Sequence, residues 1–354
     1  MYSEIKGIKI DAIALGVPNK WISLEEQFGN PNSGIDNKKL MKFIKNTGVE
    51  GRYVSTVKQT NSDWCYAAAN NILDYKGIDR NQVGIIVYVT QTADYQQPAT
   101  SLVLQHRLGI GTNCVAFDIN LGCSGFIYGL NVVSCLMIQC GAEYGLLMCG
   151  ETGGRDKIPG DRPNFNTEYM LFGDAGSAAL LKRDENAPNM NFMLKSNGNG
   201  FKALINPWGF YRNPIELKKV SPMDGIAVFN FSTNEAPELI NDLMKEMHTT
   251  SVDYDYLVLH QANKMIMEQI EKKTGFPSEK SLKSINKFAN TSSASIPTAL
   301  VYNLANKGEG LVHFLLSGFG IGLSWGAVDC YIDKKDIFPL IETDDYFEDG
   351  YQSL

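Results

Sequence analysis

The chain has 354 residues, of which 44% are hydrophobic and 20% are charged, so it can bury one large core or two of medium size. Its net charge of −7 repels polyanions, which excludes nucleic acid as a general partner. The composition is typical of a globular protein that folds in water.

The N-terminal stretch MYSEIKGIKIDAIALG has four charged residues among its apolar ones: Glu4, Lys6, Lys9 and Asp11. A secretory signal has a basic segment followed by an unbroken apolar one, so this pattern predicts a cytoplasmic protein. The seven cysteines contain no CxxC pair, and four of them stand in apolar stretches. We therefore expect free thiols, with no disulfide and no zinc site.

Segments of strand length alternate with segments of helical length in the first half of the chain. The predicted strands are 84–91, 114–120, 144–152 and 177–182. One long uncharged run extends over 119–142 and contains four glycines and three residues with amide side chains: Asn120, Asn131 and Gln139. These residues would be awkward inside a bilayer, which favours a helix buried on all sides over a membrane span.

The second half repeats this alternation. Its predicted strands are 256–262, 312–320 and 324–332, and its predicted helices are 236–247 and 296–308. The pattern indicates an α/β protein. The halves also echo each other, because GIIVYVTQT resembles YLVLHQAN and GDAGSAALL resembles GIGLSWGAV.

The two predicted halves meet in a segment, 186–221, that is rich in Asn, Pro and Gly and weak in periodicity. The predicted organisation is an N-terminal half at 1–185, a C-terminal half at 186–338 and an acidic tail at 339–354. The tail is aperiodic, so we expect it to be solvated.

Cys123 lies between Gly122 and Ser124 in the stretch DINLGCSGFIYGL. Small neighbours let a substrate approach the sulfur, and the apolar run that follows predicts a helix N-terminus, where the helix dipole favours the thiolate. A thiolate attacks a thioester carbonyl and keeps the acyl group activated as a new thioester. The alternative is a packing role, because free cysteine commonly fills apolar sites.

His260 and Asn290 are the polar candidates of the second half. His260 follows the predicted strand YLVL, and active-site residues of α/β folds cluster at that strand edge, although a satisfied surface histidine is the alternative. Asn290 lies in FANTSSASIPTAL, which would ordinarily be an N-cap loop. Its carboxamide N–H can also join the His260 ring in stabilising negative charge on a thioester carbonyl oxygen.

The stretch SGFGIGLSWGA, at 317–327, places three glycines in a tight turn between two predicted strands. Such a turn frees backbone N–H groups to point at an oxyanion, and a simple hairpin is the alternative. It is not a GxGxxG phosphate loop, because position 323 is Leu and no helix follows.

The motifs GCSGF, HQAN, NTSSASIP and GFGIGLSWG, in this order, resemble those of the β-ketoacyl-ACP synthase III family of thiolase-fold condensing enzymes. The stretches TGVEGR, LGI, FGDAGSAALL and SPMDGIAVF resemble the same family, so the likeness extends over nearly all of residues 5–332. The resemblance implies a five-layered αβαβα fold of two similar halves in a homodimer. It also implies acyl-CoA or acyl-ACP as substrates, without a further cofactor or a metal.

The family mechanism, carried onto this sequence, has Cys123 take an acyl group from a thioester donor. His260 and Asn290 then assist the decarboxylation of malonyl-ACP, and the resulting enolate attacks the acyl group on Cys123. The resemblance assigns three further residues to the oxyanion hole and pocket: Ile321, Phe229 and Asn263.

The chain departs from the family at the positions that bind coenzyme A. Members that start from acetyl-CoA hold the nucleotide with one Trp and two Arg, and this sequence has Lys42, Asn46 and Asn166 at those places. Each such contact is worth ~1–3 kcal/mol, so the change points to an acyl carrier protein as donor. Carrier proteins are acidic, and three lysines are candidate contacts, with a solvated helix face as the alternative: Lys264, Lys272 and Lys273.

Three functions stay open at this point. The first is an acyltransferase that condenses an acyl thioester with malonyl-ACP through a Cys-bound acyl-enzyme, as in fatty acid biosynthesis. The second is an acyltransferase of the same fold that delivers the acyl group to a hydroxyl or amine without malonyl condensation. The third is a non-catalytic thiolase-fold scaffold, which has no need for Cys123, His260 and Asn290 together.

Overall fold

The computed structural model describes residues 1–29, 35–154, 170–208, 211–212 and 223–351. The helices are α1 Leu24–Phe28, α2 Asn37–Thr47, α3 Asn61–Tyr75, α4 Thr100–Arg107, α5 Gly125–Cys140, α6 Gly225–Glu246, α7 Lys264–Thr274, α8 Ile285–Phe288 and α9 Ser295–Leu304. The strands are β1 Tyr2–Ile5, β2 Ile8–Pro18, β3 Trp21–Ser23, β4 Gly51–Tyr53, β5 Val83–Val89, β6 Val115–Ile119, β7 Tyr144–Thr152, β8 Asp174–Arg183, β9 Met190–Ser196, β10 Tyr256–Leu259, β11 Leu311–Gly320, β12 Ser324–Asp333 and β13 Ile341–Thr343.

Two large sheets organise the described residues. One has the strand order β13-β2-β8-β7-β5-β6, and the other has the order β1-β9-β12-β11-β10. A small hairpin pairs β3 with β4. Strands β2-β8-β7-β5 and β9-β12-β11-β10 follow the same scheme, with two antiparallel pairs and then a parallel one. This repeat confirms the two similar halves.

The boundaries 1–185 and 186–338 stay a prediction, which the repeated strand order supports. The first strand is an exception to a simple division of the chain. Although β1 precedes all other strands, it pairs antiparallel with β9 in the sheet of the second half. The N-terminal residues therefore tie the two halves together.

Helices cover the sheets in five layers. Helices α3 and α4 pack on the outer face of the β13-to-β6 sheet, and α5 and α9 lie between the two sheets. Helix α6 packs on the outer face of the β1-to-β10 sheet, and α7 packs against α6. The order of layers is αβαβα, which confirms the predicted fold class.

Helix α5 shows why the uncharged run belongs in the middle layer. Its side chains Phe126, Ile127 and Leu130 are at most 1% exposed, and each fully buried side chain of this kind stabilises the fold by about 1.5–3 kcal/mol. A Cβ on Gly129 would lie 2.5 Å from Leu147 Cδ1, so a larger residue there would force the Leu147 side chain to move. No helix of the described ranges combines the length and the apolar character that crossing a bilayer requires.

Helix α6 begins eleven residues earlier than predicted, because Asp224 caps its N-terminus and the helix continues through Pro237. A proline cannot donate to the carbonyl four residues before it, which here belongs to Thr233. The Lys273 ammonium of α7 donates to that carbonyl at 2.7 Å and so replaces the missing partner. This long-range compensation has no signal in the local sequence.

The acidic tail differs from the prediction of a solvated segment. Strand β13 pairs in parallel with the end of β2, and the N–H of Phe347 donates to Asp63 Oδ1 at 2.9 Å. The Phe347 ring also lies 4.8 Å from the Arg107 guanidinium, a cation–π contact. Each partner is distant along the chain, so local periodicity carries no sign of the docking.

Candidate active site

Cys123 lies in the turn that connects β6 to α5. The N–H of Gly125 donates to the carbonyl of Gly122 at 2.7 Å, and the cysteine between them is 8% exposed. A Cβ on Gly320 would lie 2.5 Å from Cys123 Cβ, and one on Gly318 would lie 2.9 Å from the Cys123 carbonyl oxygen. The glycines after residue 317 therefore allow β11 to close against the cysteine.

The thiol of Cys123 is not poised as a thiolate in the free protein. Burial raises its pKa to about 12, with Ser292 Oγ at 3.8 Å as a hydrogen-bond partner that acts in the opposite direction. The predicted place at a helix N-terminus is present, but burial outweighs the helix dipole there. The helix dipole favours the thiolate, as the sequence indicates, but burial acts against it and the neutral thiol predominates near neutral pH.

His260 follows β10 directly, as predicted. The backbone N–H of His260 donates to the carbonyl of Ser317 at 2.7 Å. The ring nitrogen Nδ1 lies 2.7 Å from Ser295 Oγ. The ring meets Phe319 edge to face, with 5.5 Å between centroids. Burial lowers the pKa of His260 to about 3, partly opposed by a hydrogen bond with the Ser292 backbone, so the ring is neutral at physiological pH.

Asn290 is held in an unusual stretch of backbone. Ala289 has φ +56° and ψ −159°, and Ser292 has φ +49°, conformations that L-residues rarely adopt. The N–H of Asn290 donates to Leu171 at 2.8 Å, and its carbonyl accepts from Gly173 at 3.1 Å. This strain at non-glycine residues is maintained by contacts between the halves, a pattern typical of functional sites.

Ser292 connects the three predicted catalytic residues. Its N–H donates to Asn290 Oδ1 at 2.8 Å, its backbone contacts the His260 ring, and its Oγ lies 3.8 Å from Cys123 Sγ. The bond to Oδ1 uses the acceptor end of the amide and directs the donor end elsewhere. The structure thus brings Cys123, His260 and Asn290 to one place.

The sequence interpretation missed the roles of Ser292 and Ser295, which orient the catalytic candidates. The signal available was the serine run in NTSSASIP, in which every serine is buried. A buried serine needs a partner, so this run in an otherwise ordinary cap loop pointed to a hydrogen-bonded site.

The glycine turn is fastened to the start of α5. Ser324 Oγ donates to the carbonyl of Ile321 at 2.8 Å and lies 2.7 Å from Ser124 Oγ. Ile321 is therefore in the turn that follows Gly320, whose backbone lies against Cys123. The role of the Ile321 N–H in an oxyanion hole stays a prediction.

Phe229 and Asn263, the two other residues that the resemblance assigns to the pocket, lie on α6 and at the start of α7. Asn263 is the N-cap of α7, where its Oδ1 accepts from Ile266 at 2.9 Å, so its side chain serves helix capping. Phe229 lies on α6 and packs against the apolar cluster that contains Phe319. Its predicted place beside Cys123 stays a prediction.

The predicted carrier contacts divide into two kinds. Lys264, Lys272 and Lys273 are all exposed on α7, but the Lys273 ammonium also donates to the Thr233 carbonyl and to Asn234 Oδ1, each at 2.7 Å. Lys273 thus connects two helices. Lys42 and Asn46 are exposed on α2, and Asn166 lies outside the described residues.

No group of three or more His, Cys, Asp or Glu residues in the described ranges is arranged to hold a metal ion. All seven cysteines are free thiols. The arrangement offers a buried thiol beside two neutral hydrogen-bonding side chains. That combination suits covalent acyl transfer, in which the charge to be stabilised develops on a carbonyl oxygen.

Known proteins share both the sequence and the fold. The family model described as 3-oxoacyl-[acyl-carrier-protein (ACP)] synthase III matches residues 117–198, and its C-terminal counterpart matches residues 244–331. Beta-ketoacyl-[acyl-carrier-protein] synthase III of Neisseria meningitidis serogroup B is 32% identical over 286 residues, which cover 80% of this chain and 87% of that protein. The Streptococcus equi subsp. equi protein of the same name is 33% identical over 289 residues, which again cover 80% of this chain and 87% of that protein.

Solved structures agree with these relatives. A 3-oxoacyl-(acyl-carrier protein) synthase from Burkholderia xenovorans has a TM-score of 0.90 and 28% identity, covering 97% of this chain and 99% of that one. The synthase III from Pseudomonas aeruginosa has a TM-score of 0.78 and 26% identity, covering 96% and 100%. With 32 and 33% identity across 87% of each sequence relative, the chain belongs to the β-ketoacyl-ACP synthase III family and is an acyltransferase of that type.

Proposed function

We propose that this protein condenses an acyl thioester with malonyl-ACP, with loss of carbon dioxide, through an acyl-enzyme at Cys123. The observation that carries the proposal is the convergence of Cys123, His260 and Asn290 around Ser292. A scaffold would not need a buried thiol, a neutral buried imidazole and an oriented amide in one place. The names of the sequence relatives support the same reaction class.

In the first step, the Cys123 sulfur attacks the carbonyl carbon of the donor thioester. The carbon–sulfur bond to the donor breaks, and the thiol proton leaves with the donor's sulfur as a free thiol. Because the resting thiol is neutral, this proton is transferred only as the substrate reacts. The turn at 320–324 closes against the cysteine and offers backbone N–H groups to the tetrahedral oxygen.

In the second step, the malonyl carboxylate leaves as carbon dioxide, and its bonding electrons pass into an enolate of the thioester. The neutral His260 ring and the Asn290 amide donate hydrogen bonds to the thioester oxygen, where the negative charge develops. The enolate carbon then attacks the acyl group on Cys123. The carbon–sulfur bond breaks, and the cysteine recovers a proton from solvent.

Intact-protein mass spectrometry tests the proposal. The protein is mixed with a panel of acyl-CoAs and acyl carrier proteins, and malonyl-ACP is added afterwards. We expect a covalent acyl adduct that disappears on malonyl-ACP addition, with release of carbon dioxide and a 3-oxoacyl product. An adduct that instead transfers to a hydroxyl or amine without malonyl-ACP would support the alternative acyltransferase, and no adduct from any donor would contradict both.

We also propose an acyl carrier protein as partner, docked on a basic surface that α2 and α7 form together. The two helices are in contact, because Gly48 at the end of α2 adjoins the side chain of Lys264. Within its eleven residues, α2 has no acidic side chain and has four exposed lysines: Lys38, Lys39, Lys42 and Lys45. Acidic carrier proteins are complementary to such a surface.

Charge reversal at Lys264 tests this surface. We expect Lys264→Glu to raise KM for carrier-bound substrates by about tenfold, most strongly at low salt, with kcat changed little. Lys307→Glu is the matched control. Lys307 precedes β11, whose other end lies against Cys123, so the length of this strand places Lys307 about 30 Å from the cysteine. Equal KM values in the two variants, measured by steady-state kinetics, would exclude Lys264 from the docking surface.

We further propose a cytoplasmic homodimer. Strand β6 is an edge strand whose five residues are all at least partly exposed, although Val115, Phe117 and Ile119 are apolar. An exposed apolar edge of this kind suits pairing with the same strand of a second copy. The seven free thiols support a reducing compartment.

A further inference from the structure

Glu151 is a buried carboxyl group that the proposed mechanism does not use. It lies at the end of β7, is 5% exposed, and accepts hydrogen bonds at both oxygens. The Gln91 N–H donates to Oε1 at 3.1 Å, and the Thr92 hydroxyl donates to Oε2 at 2.8 Å. The Ser293 hydroxyl, from the second half of the chain, lies 3.4 Å from Oε1 and 3.3 Å from the Val89 carbonyl oxygen, and it shares its one proton between these two acceptors.

The partners of Glu151 adjoin the segments that enclose the reactive thiol. A Cβ on Gly122, the residue before Cys123, would lie 2.3 Å from Gln91 Oε1, so the Gln91 side chain lies directly against this backbone. On the other side, Ser293 follows Ser292, which contacts Cys123, His260 and Asn290. The Glu151 carboxylate thus contacts both segments that flank Cys123, the turn at 90–92 and the segment that contains Ser292 and Ser293.

We propose that Glu151 is a positioning residue for acyl transfer, whose buried carboxylate holds the turn at 90–92 and Ser293 together and so fixes the segments on either side of Cys123. The proposal rests on the proposed function, because it assigns Glu151 a part in the same reaction. An ionised carboxylate can accept from all of these donors at once, whereas a neutral side chain cannot. Small displacements of a reacting group lower rates strongly.

The charge on Glu151 also bears on the thiol and gives a second readout. Burial raises the pKa of Glu151 to about 7, and its negative charge contributes to the raised pKa of Cys123. Above that pH the carboxylate therefore opposes thiolate formation. The other groups that feel its charge are neutral, because burial raises their pKa values well above the ordinary range: Cys65, Tyr88 and Cys149.

The test compares wild type with Glu151→Gln, which keeps the size and removes the charge. In condensation assays we expect kcat to fall by about tenfold or more with KM nearly unchanged, because positioning is lost and binding is not. In the free protein, alkylation of Cys123 by iodoacetamide, followed by peptide mapping, should become at least about threefold faster at pH 9 and stay equal at pH 6, where wild-type Glu151 is also protonated.

A merely structural role would expose the buried thiol and so speed alkylation at pH 6 as well as at pH 9. Faster alkylation at pH 9 only, together with the lower kcat, therefore distinguishes positioning from a loss of structure. Asp329→Asn is the matched control, since Asp329 is a buried carboxyl that accepts from Tyr254 at 2.9 Å. We expect it to lower thermal stability and leave alkylation unchanged. Glu151→Gln with both wild-type kcat and wild-type alkylation would overturn the proposal. The alkylation arm needs no substrate, so it still tests Glu151 if the wild type fails to condense.

Discussion

Replacement of Cys123 by alanine is expected to abolish the acyl adduct and lower the rate of condensation on the order of 10³-fold or more, because no other side chain can form the thioester. The substitution removes only the sulfur atom and keeps the Cβ that packs against Gly320, so the fold should persist. Decarboxylation of malonyl-ACP should continue, since the proposed donors, His260 and Asn290, remain. Intact mass and carbon dioxide release measure the two outcomes.

Cys135→Ala provides the control for this variant, because Cys135 is an exposed thiol on the same helix, α5. It should behave as wild type in both measurements. An adduct that persists in Cys123→Ala would remove Cys123 from the mechanism. A simultaneous loss of adduct and decarboxylation in a well-folded variant would contradict the division between the two steps.

Substitution of His260 or Asn290 by alanine should have the opposite signature. Each variant should still form the acyl adduct on Cys123, while malonyl-ACP decarboxylation falls by about 10²–10³-fold, the usual effect of removing one donor to a developing oxyanion. The pKa of His260 is lowered to about 3, so protonation occurs only in strong acid. Wild-type decarboxylation should therefore show no inflection from His260 between about pH 5 and 8.

His313→Gln is the control for His260, because it removes a partly buried histidine that pairs with Asp329 at 2.9 Å. His313 lies seven residues before Gly320 along β11, about 23 Å from the cysteine. We expect lower thermal stability and unchanged decarboxylation. If His260→Ala or Asn290→Ala lost the acyl adduct as completely as Cys123→Ala does, the assignment of these residues to the second step would fail.

The sequence was sufficient for the features that depend on local patterns. Periodicity predicted the buried α5 and the paired strands β11 and β12, and the ordered motifs predicted Cys123, His260 and Asn290. The structure confirms the helix and the strand pair, each of which occupies one continuous stretch, and it brings the three residues together, while their catalytic roles stay a prediction.

Features that depend on contacts between distant segments were not predictable in this way. The long α6 depends on Lys273, which compensates for Pro237, and the docked tail depends on Asp63 and Arg107. The raised pKa of Cys123 was not predictable for the same reason. A helix N-terminus is visible in a sequence, whereas the burial that outweighs it results from β11 closing over the thiol.

The C-terminal segment has a consequence for how copies of the chain can assemble. Strand β13 pairs with Gly16–Pro18 of β2, and just before it the Phe338 N–H donates to the Ile13 carbonyl, so the C-terminal part of this β2 edge is occupied. In the described residues, β6 is the other end of that sheet and remains open. Strand β13 is now the edge strand at the β2 end, and it has only three residues; very short edge strands discourage pairing with another chain. The segment after residue 338 therefore replaces the long edge of β2 by a short one and so disfavours the addition of further strands at this end.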